Sequence, residues 1–253
     1  MAANTLALRL LPLAAALLPA PLPAQTPAAP APAQLEAEVD QAFYRLYDAM
    51  AAGADYSALA VNGADSIFDG LVRNEPRMAE LSRRNPGLRG EFRTVAVPYL
   101  KVWMDRSTKI MRGRVAAQFA RHFTVTEADE FARFYGSPLG RKMMKAISGN
   151  LQFDATVDQA VQSGDPGYDK GIADKDVEKG VDRALTKLLP TLTGAEQDQL
   201  LRFSKSPAFR KIGLINQVMD GVPQPGIDEM STPEEREAFG RALRTLFERA
   251  MAN

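Results

Sequence analysis

The chain contains one histidine, His122, and a serine fifteen residues on, Ser137, the pair of residue types from which a nucleophile and its base are built. A nucleophilic serine needs such a base within hydrogen-bond reach and donors for the oxyanion. Ser137 stands in the string Phe134-Tyr135-Gly136-Ser137-Pro138-Leu139-Gly140-Arg141-Lys142. A second string, Phe203-Ser204-Lys205-Ser206-Pro207-Ala208-Phe209-Arg210-Lys211, repeats Phe, Ser-Pro and Arg-Lys 69 residues later. There the position matching His122 is Thr191, so the serine recurs without a base. Serine followed by proline is also how a helix begins. The hydroxyl caps a first-turn amide, and proline has no amide to leave unsatisfied. Capping accounts for both serines, and a hydrolase using Ser137 and His122 ranks third among the functional readings.

Other chemistry is offered more weakly. Arg141-Lys142 and Arg210-Lys211 sit in first turns, where the helix dipole favours carboxylates, so they serve an anionic partner, a solvated surface, or an arginine tie to Glu127 or Glu130. The acidic stretch Asp165, Asp169, Asp174, Asp176, Glu178, Asp182 does not fit a calcium loop. Counted from Asp174, position six is Lys179 and position twelve is Leu185, where glycine and glutamate are required. From Asp176 onward the pattern is that of a helix with acids in its first turn. The methionines Met104, Met111, Met143 and Met144 suit core packing better than copper capture. No metal and no cofactor is expected.

These residues must be positioned by helices. Leu35, Val39, Phe43, Leu46 and Met50 recur at helical steps, predicting a helix over Leu35 to Ala52 that ends at Gly53. Asp65 to Arg84 reads as shorter and broken, with Pro76 opening a new helix and Pro86-Gly87 a turn. Arg89 to Phe123 is helical in period, and Pro98 predicts a kink or break. Thr124 with Glu127, and Thr193 with Glu196, are capping boxes 69 residues apart, although Thr126 with Asp129 is an alternative start. Thr232, Pro233 and Glu235 open a terminal helix with Phe239, Leu243, Leu246 and Ala250 on one face. No sustained period-two alternation exists, so strands are not expected.

The fold class that follows is all-α: a helical bundle built from a duplicated helix-corner-helix unit, with additional N- and C-terminal helices. The related units span about 110–148 and 179–217 within a helical domain of residues 35–253. Phe134, Tyr135, Ser137, Pro138, Gly140, Arg141 and Lys142 form the candidate functional or structural motif. With the preceding Thr126-Glu127 and apolar helix, that string resembles the signature of a secreted bacterial family, domain of unknown function number two thousand and fifty-nine. The resemblance covers roughly Val115 to Ala146. The second string departs from it, with Ser204 in place of Tyr135 and Phe209 in place of Gly140. The resemblance implies an α-helical envelope protein and supplies no catalytic residues.

Compartment and partners follow from the ends and the charge. Residues 1–24, with Arg9 before the apolar run to Leu18 and small residues at Ala20 and Ala24, read as a secretory signal peptide; Pro12 and Pro19 argue against a spanning helix. Residues 25–34 are an Ala/Pro-rich tether. With no cysteine there is neither a lipid-anchor site nor a disulfide. Lys and Arg number 31 against 31 Asp and Glu, so no basic footprint for nucleic acid shows. The leading reading is an exported, non-catalytic helical protein of the periplasm or secreted space, soluble after processing, whose partner is an envelope protein or small ligand. The alternative is a periplasmic carrier of an apolar small ligand. An apolar cavity would favour the carrier, an exposed apolar groove the interaction module, and a buried polar cluster around His122 and Ser137 the enzyme.

Overall fold

The structure is a computed structural model and describes residues 39–163 and 172–252. The expected signal peptide and tether, and the acids Asp165 and Asp169, lie outside the described residues. Every regular element among those described is helical, and no strand occurs there. The α-helices are α1 (Gln41–Gly53), α2 (Tyr56–Asn74), α3 (Pro76–Arg84), α4 (Leu88–His122), α5 (Val125–Gly136), α6 (Pro138–Asn150) and α7 (Asp154–Ser163). They continue as α8 (Asp174–Leu188), α9 (Gly194–Ser204), α10 (Pro207–Arg210), α11 (Ile212–Asp220), α12 (Ile227–Met230) and α13 (Pro233–Ala252). A 3₁₀ turn at Leu189–Thr191 follows α8.

The chain divides into two compact units. The first holds α1, residues 109–122 of α4, α5, α6 and α8 to α11. Both Ser-Pro strings fall in it. Here α1 lies along α5, and α6 packs on α1, α5 and α8. Because α6 has neighbours on several sides, Met143 and Met144 are both buried although adjacent residues point in different directions. A Cβ on Gly53 would stand 2.5 Å from the Met144 Cβ, so the glycine that ends α1 also lets it approach α6.

The second unit holds α2, α3, residues 88–108 of α4, α7, α12 and α13. Its core joins Ala64 and Phe68 of α2, Leu81 of α3, Leu88, Phe92 and Ala96 of α4, and Leu246 and Ala250 of α13. Leu246 and Ala250 belong to the face predicted for the terminal helix, and Phe239 and Leu243 pack against the same core. Ion pairs rim it: Arg93 with Asp65, Arg73 with Asp158, and Arg106 with Glu235.

Three element boundaries differ from the sequence reading. The first helix starts at Gln41, where the Asp40 carboxylate accepts from the Ala42 amide at 2.8 Å, and residue 39 is a bend. The second begins at Tyr56, well before Asp65. Pro98 lies inside an unbroken α4, so no break forms there. Proline removes one donor, and the burial of Phe92 and Ala96 on one side and of Val115, Ala116 and Phe119 on the other holds the helix through that loss.

Candidate functional site

The Ser137 corner is built by two caps in succession. Thr124 accepts from the Glu127 amide at 3.3 Å while Glu127 accepts from the Thr124 amide at 2.9 Å, closing the box that opens α5. Thr124, and not Thr126, is the cap. At the other end Ser137 has extended backbone (φ −71°, ψ 161°), ending α5 and starting α6 at Pro138. Its Oγ accepts from the Gly140 amide at 3.0 Å and donates to the Phe134 carbonyl at 2.6 Å. His122 is exposed in the last turn of α4, and no hydrogen bond joins it to Ser137.

The second corner repeats this geometry. Thr193 and Glu196 form the reciprocal box at the start of α9. Ser206 accepts from the Phe209 amide at 3.2 Å with Pro207 next. The copies differ where Gly140 is replaced. A Cβ on Gly140 would lie 2.1 Å from the Phe134 carbonyl oxygen and 2.6 Å from the Tyr135 Cα, so α5 and α6 meet too closely there for any side chain. Phe209 occupies the matching position, and there α9 stops at Ser204 and the following helix is interrupted at Lys211. The larger residue accompanies a looser corner.

The two strings complete each other. The Lys142 ammonium donates to both oxygens of Glu196, at 3.0 and 3.1 Å, and the Lys211 ammonium donates to Glu127 at 2.8 Å. Each lysine lies 69 residues from the other, as does each glutamate, so each string supplies a cation to the other's capping box. The ties expected from Arg141 or Arg210 are made by these lysines instead; Arg141 donates to the Gly136 carbonyl. Glu130 accepts from the Ala208 amide at 3.2 Å and so caps α10 from the first string's helix. Burial pushes Glu127 up, but Lys211 and the Thr124 amide and hydroxyl outweigh it and hold the carboxyl below its usual range. Glu196 is held low by the Thr193 amide and by Lys142.

Between the corners lies an aromatic cluster. Phe134 and Phe203 stack with centroids 3.8 Å apart and planes 7° from parallel. Phe131 meets Phe203 edge-on at 6.0 Å and Phe123 at 5.5 Å. Tyr135 is fully buried, and its hydroxyl has no hydrogen-bond partner. Burial pushes that phenol far up, so it stays neutral. Of the seven motif residues, Phe134, Tyr135 and Gly140 are buried, Ser137 and Lys142 half-buried, and Pro138 and Arg141 exposed. Phe134, Tyr135 and Gly140 therefore pack inside the unit. Sequence reasoning missed the lysine-glutamate exchange; its signal is the spacing of fifteen from Glu127 to Lys142 and again from Glu196 to Lys211.

In the second unit, α3 and the end of α13 enclose an open cavity of about 450 Å³. Met78 and Leu81 line it from α3, and Phe247, Ala250 and the exposed Met251 from α13, with Arg77 and Arg84 also at its wall. Glu80, also at the wall, is held by Arg83 and Arg84 and sits below its usual pKa, mainly through the Arg84 bond. No group of three or more His, Cys, Asp or Glu suited to a metal ion occurs among the described residues, and no helix there is long and apolar enough to cross a membrane.

Residues 109–149 match the model of a family described as an uncharacterized protein conserved in bacteria (DUF2059), the family that the first string resembles. The match contains α5, the Ser137 corner and nearly all of α6. No curated protein and no solved structure is significantly similar to the chain.

Proposed function

We propose that this chain is an exported, non-catalytic helical protein of the bacterial cell envelope that acts by binding. The observation that supports this reading is how the Ser137 corner spends its polar groups. The hydroxyl proton goes to the Phe134 carbonyl, the oxygen takes the Gly140 amide, Arg141 serves the Gly136 carbonyl, and Lys142 serves Glu196. A serine so committed has no base to activate it, and activation is what nucleophilic catalysis requires. On this reading residues 1–24 are a signal peptide, 25–34 a tether, and 110–148 and 179–217 two repeats of one ancestral unit. The protein works in the periplasm or secreted space on an envelope protein or small ligand, with no role on nucleic acid.

Native mass spectrometry of protein purified from its own envelope tests this. Expected are a mature chain beginning near Gln25 and a co-purifying ligand or partner; an unprocessed chain confined to the cytoplasm would sink the export reading. Ser137→Asp retains a capping oxygen, so it keeps stability. Hydrolase activity present in the parent and lost in that variant would establish catalysis instead. The carrier of an apolar small ligand is the second reading, favoured by the cavity between α3 and α13, whose volume lies within the roughly 300–1,000 Å³ range of small-molecule sites.

A further inference from the structure

The geometry points to the cavity between α3 and α13 as a site for a single-chain amphipathic anion, an alkyl chain with one anionic head, seated with its head at Arg77. This inference rests on the carrier reading and names its ligand class. Two observations carry it. The wall is mainly apolar, from Met78, Leu81, Phe247, Ala250 and Met251. Its charge is uncompensated: Glu80 is taken up by Arg83 and Arg84, whereas the exposed Arg77 has no ion-pair partner among the described residues. An apolar body is received by the wall, and an anionic head by the Arg77 guanidinium. A neutral alkyl ligand would leave that charge unmatched, and a cationic one would be repelled. The exposed Met251, 66% accessible, supplies a flexible thioether at the wall that adapts to chains of different length.

Titration calorimetry of the full chain with laurate, dodecanol and dodecyltrimethylammonium tests this. Laurate is expected to bind saturably at one per chain, dodecanol more weakly, and the cation not at all. Arg77→Gln, at an exposed position, is expected to weaken laurate about tenfold, in line with losing one charge-assisted hydrogen bond, and to change dodecanol less than about twofold. Ala250→Phe is expected to abolish both by filling the cavity; should it fail to fold, Arg77→Gln alone decides. Lauroyl lysophosphatidylglycerol, compared with laurate, distinguishes a lipid-borne chain from a free fatty acid, the tighter binder giving the source. Absence of saturable laurate binding, or equal effects of Arg77→Gln on laurate and dodecanol, overturns the inference. If the envelope-purified protein then still carries a partner in native mass spectrometry, the inference falls and the binding reading stands; if it carries nothing, both fall.

Discussion

Phe134 lies flat on Phe203, ring centroids 3.8 Å apart, and these two residues hold the same place in their respective strings. Contact between equivalent residues is one mark of a local two-fold relation, and a reciprocal exchange is the other. The lysine-glutamate exchange obeys the same rule: Lys142 reaches Glu196, and Lys211 reaches Glu127. On the proposed duplication, the first unit is arranged around this relationship as a dimer is around its interface.

Acid should loosen that arrangement. Glu127 and Glu196 titrate below the usual carboxylate range in the folded chain, so the stability they contribute is complete above about pH 4.5 and is lost as pH falls through their folded pKa values. Melting temperature measured from pH 7 to pH 3 should fall below about 4.5 in the parent. The double variant Glu127→Gln, Glu196→Gln should start lower and vary less over the same window.

The second unit has a counterpart in Glu235, whose carboxyl is pulled down to about 2 by Arg106 first and the Thr232 amide next. Its contribution is therefore lost between about pH 4.5 and about 2. Chemical shifts of the Glu235 carboxyl should show a midpoint near 2 in the parent, moving up in Arg106→Met.

Gly140→Ala should be among the costliest single-methyl additions, since its Cβ would meet the Phe134 carbonyl at 2.1 Å. A loss of about 3 kcal/mol in urea unfolding is expected from overpacking of that kind. Gly149→Ala in the same helix meets nothing within 4 Å and should gain about 0.5–1 kcal/mol from helix propensity.

Tyr135→Phe removes a hydroxyl that is buried without a partner. Unfolding in urea should show a gain of about 1 kcal/mol, the cost of desolvating that group. A loss of stability would mean that the hydroxyl is satisfied in solution.

Local structure was legible in the residues because its causes are local. Thr124 with Glu127, Thr193 with Glu196, and the two Ser-Pro steps contain in four or fewer positions every atom their caps require. At Pro98 the expected break did not form, because a proline's effect on a helix depends on what packs around it. The lysine-glutamate exchange joins residues 54 and 84 positions apart, so it is readable only once the two strings are aligned as equivalents. The cavity between α3 and α13 has no local signature: its lining comes from segments separated by most of the chain, each an ordinary amphipathic helix on its own.

Because each capping glutamate is also ion-paired by a lysine from the other string, neither string is electrostatically self-sufficient. Removing Lys142 or Lys211 therefore leaves the capping glutamate of the opposite string without its ion-pair partner. Melting of the first unit is then a shared event, in which the release of one corner exposes an unneutralised carboxylate at its twin.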